Sequence, residues 1–303
     1  MRTIPLVDLS QFEKGNLEKK NNFIETLGNA FHTVGFVGVV NHGISSSLIK
    51  SFYKEAHAFF ALSENEKLKY KIQGANGQRG YTAFGTEHAK QSKVADLKEF
   101  FQIGNEDNIS VGEIPDFLPL GENLYREFER AGSSLLQAIA LYLNLSIDYF
   151  DQRIKNGTSI LRAIHYPPIT QEPASAIRAE QHEDINLITL LVGASAGGLE
   201  LLSKEGKWLP IVPEADEIVI NVGDMLQRLT NNYLRSTTHR VVNPPKEEWH
   251  LPRLSIPFFL HPRPEMDLSC LENCISEENP LQFDPITAGE YLDERLKEIG
   301  LKK

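Results

Sequence analysis

Cysteine, tryptophan and methionine are scarce in this chain of 303 residues, which has two, two and three of them. Two cysteines, Cys270 and Cys274, cannot build a disulfide framework, and with no second pair they cannot build a thiolate zinc site. They read as ordinary reduced thiols. No apolar run reaches the roughly eighteen residues a membrane span needs. The start, Met1-Arg2-Thr3-Ile4-Pro5, lacks the apolar stretch of a secretory signal. Positive charge is also in short supply: 31 Lys and Arg stand against 41 Asp and Glu, a net charge of −10. That balance argues against nucleic acid, whose phosphates call for a basic face. No internal repeat or low-complexity tract appears. These absences imply a soluble, cytoplasmic protein with a small-molecule partner, no nucleic acid and no membrane, and they leave the oligomeric state open.

The apolar fraction of 41% is enough for a full core. At this length two domains are possible, although barrels and sandwiches of this size often form one. The first part reads as helical. Leu6 to Leu9 opens as a short strand, and residues 17–34 carry Leu17, Phe23, Leu27, Ala30 and Phe31 at helical spacing. Phe36 to Val40 is a strand ended by Asn41-His42-Gly43, with His42 in a structural role. A helix follows from Ser45 to Leu62, and Ser63 with Glu66 has the form of a capping box. Residues 74–93, with four glycines, Tyr81 and Phe84, form a long loop expected to cover a site. Leu97 to Ile103 returns to strand. The clearest helix spans 121–145, where Leu124, Phe128, Ala131, Leu135, Ile139 and Leu143 make one core-facing stripe.

From Ser159 the texture changes to short strands separated by Gly, Pro and Asn turns: 160–166, 185–192, 198–203, 208–212, 217–222, 237–242 and 254–261. Thr287 to Ile299 is a last helix, with Thr287 as cap, Glu290 at capping-box distance and Gly300 as its stop. Periodicity by itself therefore predicts helices followed by a closed or double-sheet β architecture.

Chemistry concentrates at Gln181-His182-Glu183-Asp184. On a strand His182 and Asp184, two apart, share a face, whereas Glu183 points away. With 9 histidines and 41 acids in the chain, about one His-x-acid pair arises by chance, so the motif needs context. The strand-like run around His239 supplies a second imidazole. Two histidines and one carboxylate form the facial triad that holds non-haem Fe(II) with coordination positions open. Farther on, Arg253 and Ser255 are again two apart on an apolar strand. The guanidinium fork can pair both oxygens of a carboxylate, and the hydroxyl can add one more hydrogen bond.

In this order the chain resembles the isopenicillin N synthase-like branch of the Fe(II)/2-oxoglutarate-dependent dioxygenases. The likeness runs through Ile4-Pro5-Leu6-Val7-Asp8-Leu9, Gly35 to Ile44, Asp96-Leu97-Lys98-Glu99-Phe100 and His165-Tyr166-Pro167-Pro168. It continues through His182-Glu183-Asp184, Gly197-Gly198-Leu199-Glu200, His239 to Pro244, Arg253-Leu254-Ser255 and Ile286 to Leu292. The resemblance implies a mixed α and β fold, a double-stranded β-helix (jelly roll) core with N-terminal and flanking helices. It divides into residues 1–120, an N-terminal helical and β region, and 121–303, the jelly-roll core with its C-terminal helix, in one integrated catalytic unit. It also implies Fe(II) on His182, Asp184 and His239, with no catalytic group beyond these ligands, and 2-oxoglutarate held by Arg253, Ser255 and Tyr166. The reaction implied is oxidation of a small organic substrate by O2, coupled to decarboxylation of 2-oxoglutarate to succinate and CO2.

The run Ala163-Ile164-His165 departs from plant members, which carry an asparagine there. Alternation places His165 opposite Tyr166 and away from the metal. Two other readings stay open. One is an oxidase of the same fold that uses no 2-oxoglutarate, as in the isopenicillin N synthase and ethylene-forming types. The other is a metal-free jelly-roll binding protein, against which the intact triad argues. The substrate, of modest size such as an amino acid, a peptide or an aromatic metabolite, is expected under the 74–104 segment and the C-terminal tail.

Overall fold

A computed structural model describes residues 3–88, 94–214, 216–299 and 301–302. The first half contains β1 (Leu6–Asp8), α1 (Leu9–Lys14), α2 (Leu17–Thr33), β2 (Phe36–Val40), α3 (Ser46–Phe60), α4 (Glu64–Leu68), β3 (Gly80–Thr82), β4 (Glu99–Ile103), α5 (Phe117–Tyr142) and α6 (Asp151–Ile154). The second half contains β5 (Ile160–Tyr166), β6 (Ala179–His182), β7 (Ile188–Val192), β8 (Leu199–Leu202), β9 (Trp208–Pro210), β10 (Ile218–Val222), α7 (Asp224–Leu229), β11 (His239–Val241), β12 (Arg253–Leu260) and α8 (Ala288–Glu298).

The strands form two sheets. The larger runs β1-β2-β10-β7-β12-β5-β4-β3, and the smaller runs β6-β11-β8-β9. The β1–β2 pair is parallel, and the other paired neighbours are antiparallel. This is the jelly-roll arrangement expected from the motifs. Four strands of the larger sheet, β1 to β4, come from the N-terminal part of the chain, so N- and C-terminal segments share one hydrogen-bonded layer.

Alternation along β12 shows how the sheet serves two purposes. Leu254, Ile256, Phe258 and Leu260 are buried in the main core, where Phe128 of α5 stacks on Phe258 at 5.5 Å. The intervening Arg253, Ser255, Pro257 and Phe259 face a cavity between the sheets. A strand residue pointing one way is core, and its neighbour pointing the other way is site. A second, smaller apolar cluster, with Phe36, Phe100, Ile164, Tyr166, Leu201 and Val241, fills part of the space between the sheets.

The helix ends follow local chemistry. Ser45 caps α3 by accepting from Leu48 N, and the Ser63–Glu66 and Thr287–Glu290 capping boxes both form. α2 ends where Gly35 takes a positive φ of 78° and its N–H reaches Ala30 O at 2.9 Å, a C-terminal stop that favours glycine. α5 begins at Phe117, four residues before the expected start. Pro119 lies in its first turn, where N–H groups have no intrahelical partner. β3, β6 and α7 have too few residues to leave a periodic signal. Within the expected covering loop, 80–82 pair with β4, and 89–93 lie outside the described residues, as does the expected stop at Gly300. No helix among the described residues is long and apolar enough to cross a membrane.

α2 packs closely on α5. A Cβ added at Gly28 would run into the Tyr142 ring. Gly28→Ala is expected to cost about 1–3 kcal/mol by overpacking, which a lowered urea midpoint with unchanged slope would report.

Candidate active site

His182, the last residue of β6, lies directly across from His239, the first of β11. Side chains opposed on one face of an antiparallel pair converge, and the two imidazole rings are 4.4 Å apart at 53°. A register shift follows between His239 and Val241, a bulge of the kind that re-aims side chains beside active sites. The Nδ1 of His182 is 2.7 Å from Glu180 O, and that of His239 is 3.1 Å from Thr237 O. A carbonyl only accepts, so each Nδ1 carries a proton, and in the neutral ring the lone pair then falls on the inward Nε2. Phe36 meets the His239 ring edge-on at 5.5 Å and limits its rotation.

Asp184 reaches the same point by a different route from the one the sequence suggests. β6 ends at His182 and β7 begins only at Ile188, so Asp184 lies on the crossover between sheets, not on a continuing strand. Its Oδ2 accepts from Thr189 Oγ1 of β7 at 2.6 Å and from Asn221 Nδ2 of β10 at 2.8 Å. The larger sheet thus pins a carboxylate against two histidines of the smaller sheet. His182 Nε2 is 3.9 Å from Asp184 Oδ1, and His239 Nε2 is 3.8 Å from Oδ2. The ligand atoms of the three residues all lie within 4.8 Å of one another. Burial and the neighbouring His239 push the His182 imidazole down to about 4, so it is neutral at ordinary pH. Burial raises the Asp184 carboxyl, but His239, His182 and the two hydrogen bonds outweigh it and hold it below its usual value. Neutral imidazoles and an ionised carboxylate are the states a divalent metal needs.

A cavity of about 550 Å³ takes in the three residues together with Arg253, Ser255 and Tyr166. All six positions singled out in the sequence therefore line one space. Arg253 and Tyr166 face each other in register on β12 and β5, with the guanidinium 5.0 Å from the ring centre. Arg253 Nε donates to Ala196 O and Gly197 O at 3.0 and 3.1 Å, and its buried Nη1 has no partner among the described residues. A buried cation without a counter-charge is costly, so this group fits an anionic ligand. Arg178, also buried, donates to Leu251 O at 3.0 Å; burial and the adjacent Arg253 hold it below the usual guanidinium value.

His165 faces away from the metal site, as alternation implies: its Nδ1 is 2.7 Å from Glu99 Oε1 and its ring stacks on Phe60. His42 Nδ1 accepts from Ile44 N, a turn-forming contact. Glu183, expected to point away, lies exposed at the cavity rim and accepts from Thr238 Oγ1 at 2.6 Å. Thr189 and Asn221 were not singled out from sequence. The second had left a signal, a lone amide inside the apolar run Ile218–Val222.

A buried charge cluster on the cavity wall went unmarked in the sequence as well. Lys98 Nζ lies 2.7 Å from both Glu87 Oε1 and Asp96 Oδ2, and Arg162 Nη1 lies 3.3 Å from Glu87 Oε1. Asp96 Oδ1 accepts from Glu180 N, which steadies β6 beside His182. Burial raises the Glu87 carboxyl, but Arg162 and Lys98 more than offset it and leave it at about 2, against an ordinary 4.5. A depressed carboxylate stabilises fully above its unfolded value and loses that contribution as pH falls through the folded one. Stability is therefore expected to fall between pH 4.5 and 2, with Glu87 contributing on the order of 3 kcal/mol. Urea midpoints measured against pH in the parent and in Glu87→Gln check this: the variant should be less stable at neutral pH and flatter in acid.

Residues 4–119 match the family described as non-haem dioxygenase in morphine synthesis, N-terminal, and residues 157–262 match the 2OG-Fe(II) oxygenase superfamily. A Caulobacter crescentus protein assigned to the 2OG-Fe(II) oxygenase family is 41% identical, covers 99% of this chain and 100% of its own, and superposes with a TM-score of 0.88. A full-length Neurospora crassa protein in complex with α-ketoglutarate is 31% identical over 97% of this chain and 95% of its own, with a TM-score of 0.89. That protein has also been crystallised with thymine and with 5-formyluracil. The 2-oxoglutarate-dependent dioxygenase htyE of Aspergillus rugulosus is 30% identical over 320 residues, 95% of this chain and 96% of the relative.

Proposed function

The chain belongs to the Fe(II)/2-oxoglutarate-dependent oxygenases, and from that premise we propose that His182, Asp184 and His239 hold the iron while Arg253, Ser255 and Tyr166 hold the carboxylate of 2-oxoglutarate remote from it. The protein is an oxidoreductase that oxidises an organic substrate with O2. Bound in this cavity, iron and 2-oxoglutarate supply an oxidant made from O2, with succinate and CO2 as co-products. The protein's own part is positional. Glu180 O and Thr237 O fix the two imidazole tautomers, and Thr189 with Asn221 fixes the carboxylate. Such outer contacts keep ligands aimed and raise their basicity. Ile160, Ile164, Leu191 and Phe259 give the cavity apolar walls, to which Leu292, Leu296 and Ile299 of the C-terminal segment add.

One observation supports this reading above the others: Arg253, whose buried Nη1 has no partner among the described residues, lines the same cavity as the three metal-type ligands. An oxidase that draws its electrons elsewhere would need a substrate with its own carboxylate to meet that cation. The substrate in this reading is a small molecule, in keeping with the thymine and 5-formyluracil complexes of the Neurospora protein. Residues 1–120 and 121–303 work as one catalytic unit, since β4 from the first pairs along its length with β5 of the second. A cytoplasmic location goes with the unbridged thiols of Cys270 and Cys274. The test is O2 uptake and succinate release by the Fe(II) protein with and without 2-oxoglutarate. Succinate formed in step with O2 consumed is the expected result; O2 uptake indifferent to 2-oxoglutarate would sink the co-substrate assignment.

A further inference from the structure

We propose that the substrate of this oxygenase is an uncharged polar molecule and that His261 positions it through a hydrogen bond at Nδ1. The proposal rests on the Fe(II)/2-oxoglutarate reading of the cavity and narrows it to a substrate class.

The first argument is place. His261 continues the cavity-facing alternation of Arg253, Ser255, Pro257 and Phe259, just past the end of β12. Arg253 and His261 are thus at opposite ends of one strand, roughly 25 Å apart along an extended chain. Thr189, which bonds the Asp184 carboxylate, pairs in register with Phe259. The metal ligands therefore sit abreast of the strand near its His261 end, six residues along from Arg253. With 2-oxoglutarate running from the metal toward Arg253, the end at His261 is left for the substrate.

The second argument is an unmet hydrogen bond. His261 is 5% exposed, and its Nδ1 has no partner among the described residues. Its backbone is tied both ways to Ser159, whose Oγ donates to His261 O at 3.2 Å and accepts from His261 N at 3.1 Å, so the point from which the ring projects is fixed. Burial, helped by Arg162, pushes the imidazole down to about 4 even though Asp184 pulls the other way. The ring is neutral, with one nitrogen a donor and the other an acceptor. A buried polar atom left without a partner costs free energy that a ligand can recover.

The third argument is charge. Among the described residues, four Lys and Arg side chains line the cavity: Lys98, Arg162, Arg253 and Arg295. Lys98 is held by Glu87 and Asp96, Arg162 by Glu87, and Arg295 by Glu298 at 2.8 Å. Arg253 is the one of these four with no protein carboxylate, and it is assigned to 2-oxoglutarate. An anionic substrate would find no free cation among these residues at its end and would break a buried pair to gain one. A cationic substrate would lie beside Lys98, Arg162 and the metal's own charge. Of the acids at that end, Glu183 accepts from Thr238 and Asp224 accepts from Tyr291 at 3.3 Å through Oδ2, while the buried Asp224 Oδ1 has no partner among the described residues and is free to accept from a neutral donor. Neutral donors and acceptors are what the wall can satisfy.

The experiment uses the full chain loaded with Fe(II) and 2-oxoglutarate and scaffolds offered in three charge forms. Thymine, 5-carboxyuracil and 5-aminomethyluracil make one set; nicotinamide, nicotinate and 3-picolylamine make another; prolinamide, N-acetylproline and N-acetylprolinamide extend it to amino-acid frames. Saturation-transfer NMR reads binding, and succinate release reads turnover. The uncharged member is expected to stimulate succinate release at least tenfold more than its charged counterparts. A charged member that stimulates as well, or uncharged members that neither bind nor stimulate, overturns the proposal. With an uncharged substrate in hand, His261→Phe and His261→Asn are expected to raise its KM at least tenfold while kcat changes less than threefold. Retained 2-oxoglutarate affinity reports that the variants are folded. An unchanged KM in both overturns the role of His261. If the parent protein fails to bind 2-oxoglutarate at all, the underlying reading falls first, which keeps the two failures distinct.

Discussion

His239→Ala is expected to abolish substrate-coupled succinate formation and to weaken Fe(II) binding by at least tenfold. The imidazole is one of three inward-facing ligand groups, and its Nε2 lies 3.8 Å from the Asp184 carboxylate, close enough for one ion to bridge the two. Loss of an imidazole leaves two protein ligands, one of them an anion held by Thr189 and Asn221 in a geometry made for a shared ion. Removing a contact around the ligands costs about 10- to 100-fold in metal affinity or activity, so removing a ligand itself should cost more. The fold is not at stake in the same way. His239 sits at the end of a three-residue strand beside a bulge, and its neighbours Arg240 and Val241 keep their pairing with β8. Anaerobic Fe(II) titration, paired with a thermal melt of the apo protein, separates the two effects. Asn221→Ala supplies a graded control with a smaller loss of affinity. Normal turnover by His239→Ala at limiting iron would show that the ion is held elsewhere.

Much of this site was legible because it was written in short range. His182 and Asp184 are neighbours in sequence, Arg253 and Ser255 are alternate residues of one strand, and a side chain's direction along a strand needs no knowledge of the fold. The capping boxes at Ser63 and Thr287 were legible for the same reason. The physical cause of the His182–Asp184 convergence was not. It depends on β6 and β7 belonging to different sheets, with Thr189 and Asn221 reaching back from the larger one, and no local pattern encodes which sheet a strand joins. The Lys98, Glu87 and Arg162 cluster was hidden in the same way: Arg162 lies on β5 while Glu87 and Lys98 lie outside the strands, Lys98 just before β4, and the β4–β5 pairing helps bring them together. His261 lay in plain view on the alternation begun by Arg253. Its meaning waited on knowing that its Nδ1 was left without a partner among the described residues.

Arg253→Ala is expected to weaken 2-oxoglutarate binding about 30- to 1000-fold, or roughly 2–4 kcal/mol, the range for truncating one side of a desolvated charge pair. The side chain is 2% exposed. Its Nε is committed to Ala196 O and Gly197 O, which orients the plane of the guanidinium and leaves the buried Nη1 to serve the ligand. Tyr166, across the β5–β12 pair, packs on the same group and limits its swing. Lysine keeps the charge but loses the planar fork, so Arg253→Lys should recover only part of the affinity. Anaerobic titration of the Fe(II) protein with 2-oxoglutarate, followed by its visible metal-to-ligand charge-transfer band, measures both variants. Iron affinity should stay near that of the parent, because Arg253 touches none of the three metal ligands. Arg178 makes the outcome sharper. It is a second buried guanidinium beside Arg253, held by Leu251 O. If Arg253→Ala keeps its 2-oxoglutarate affinity while Arg178→Ala loses it, the anchor belongs to Arg178. If O2 uptake depends on Arg253 yet ignores 2-oxoglutarate, the arginine holds the substrate's own carboxylate, and the uncharged substrate inferred from the cavity falls with it.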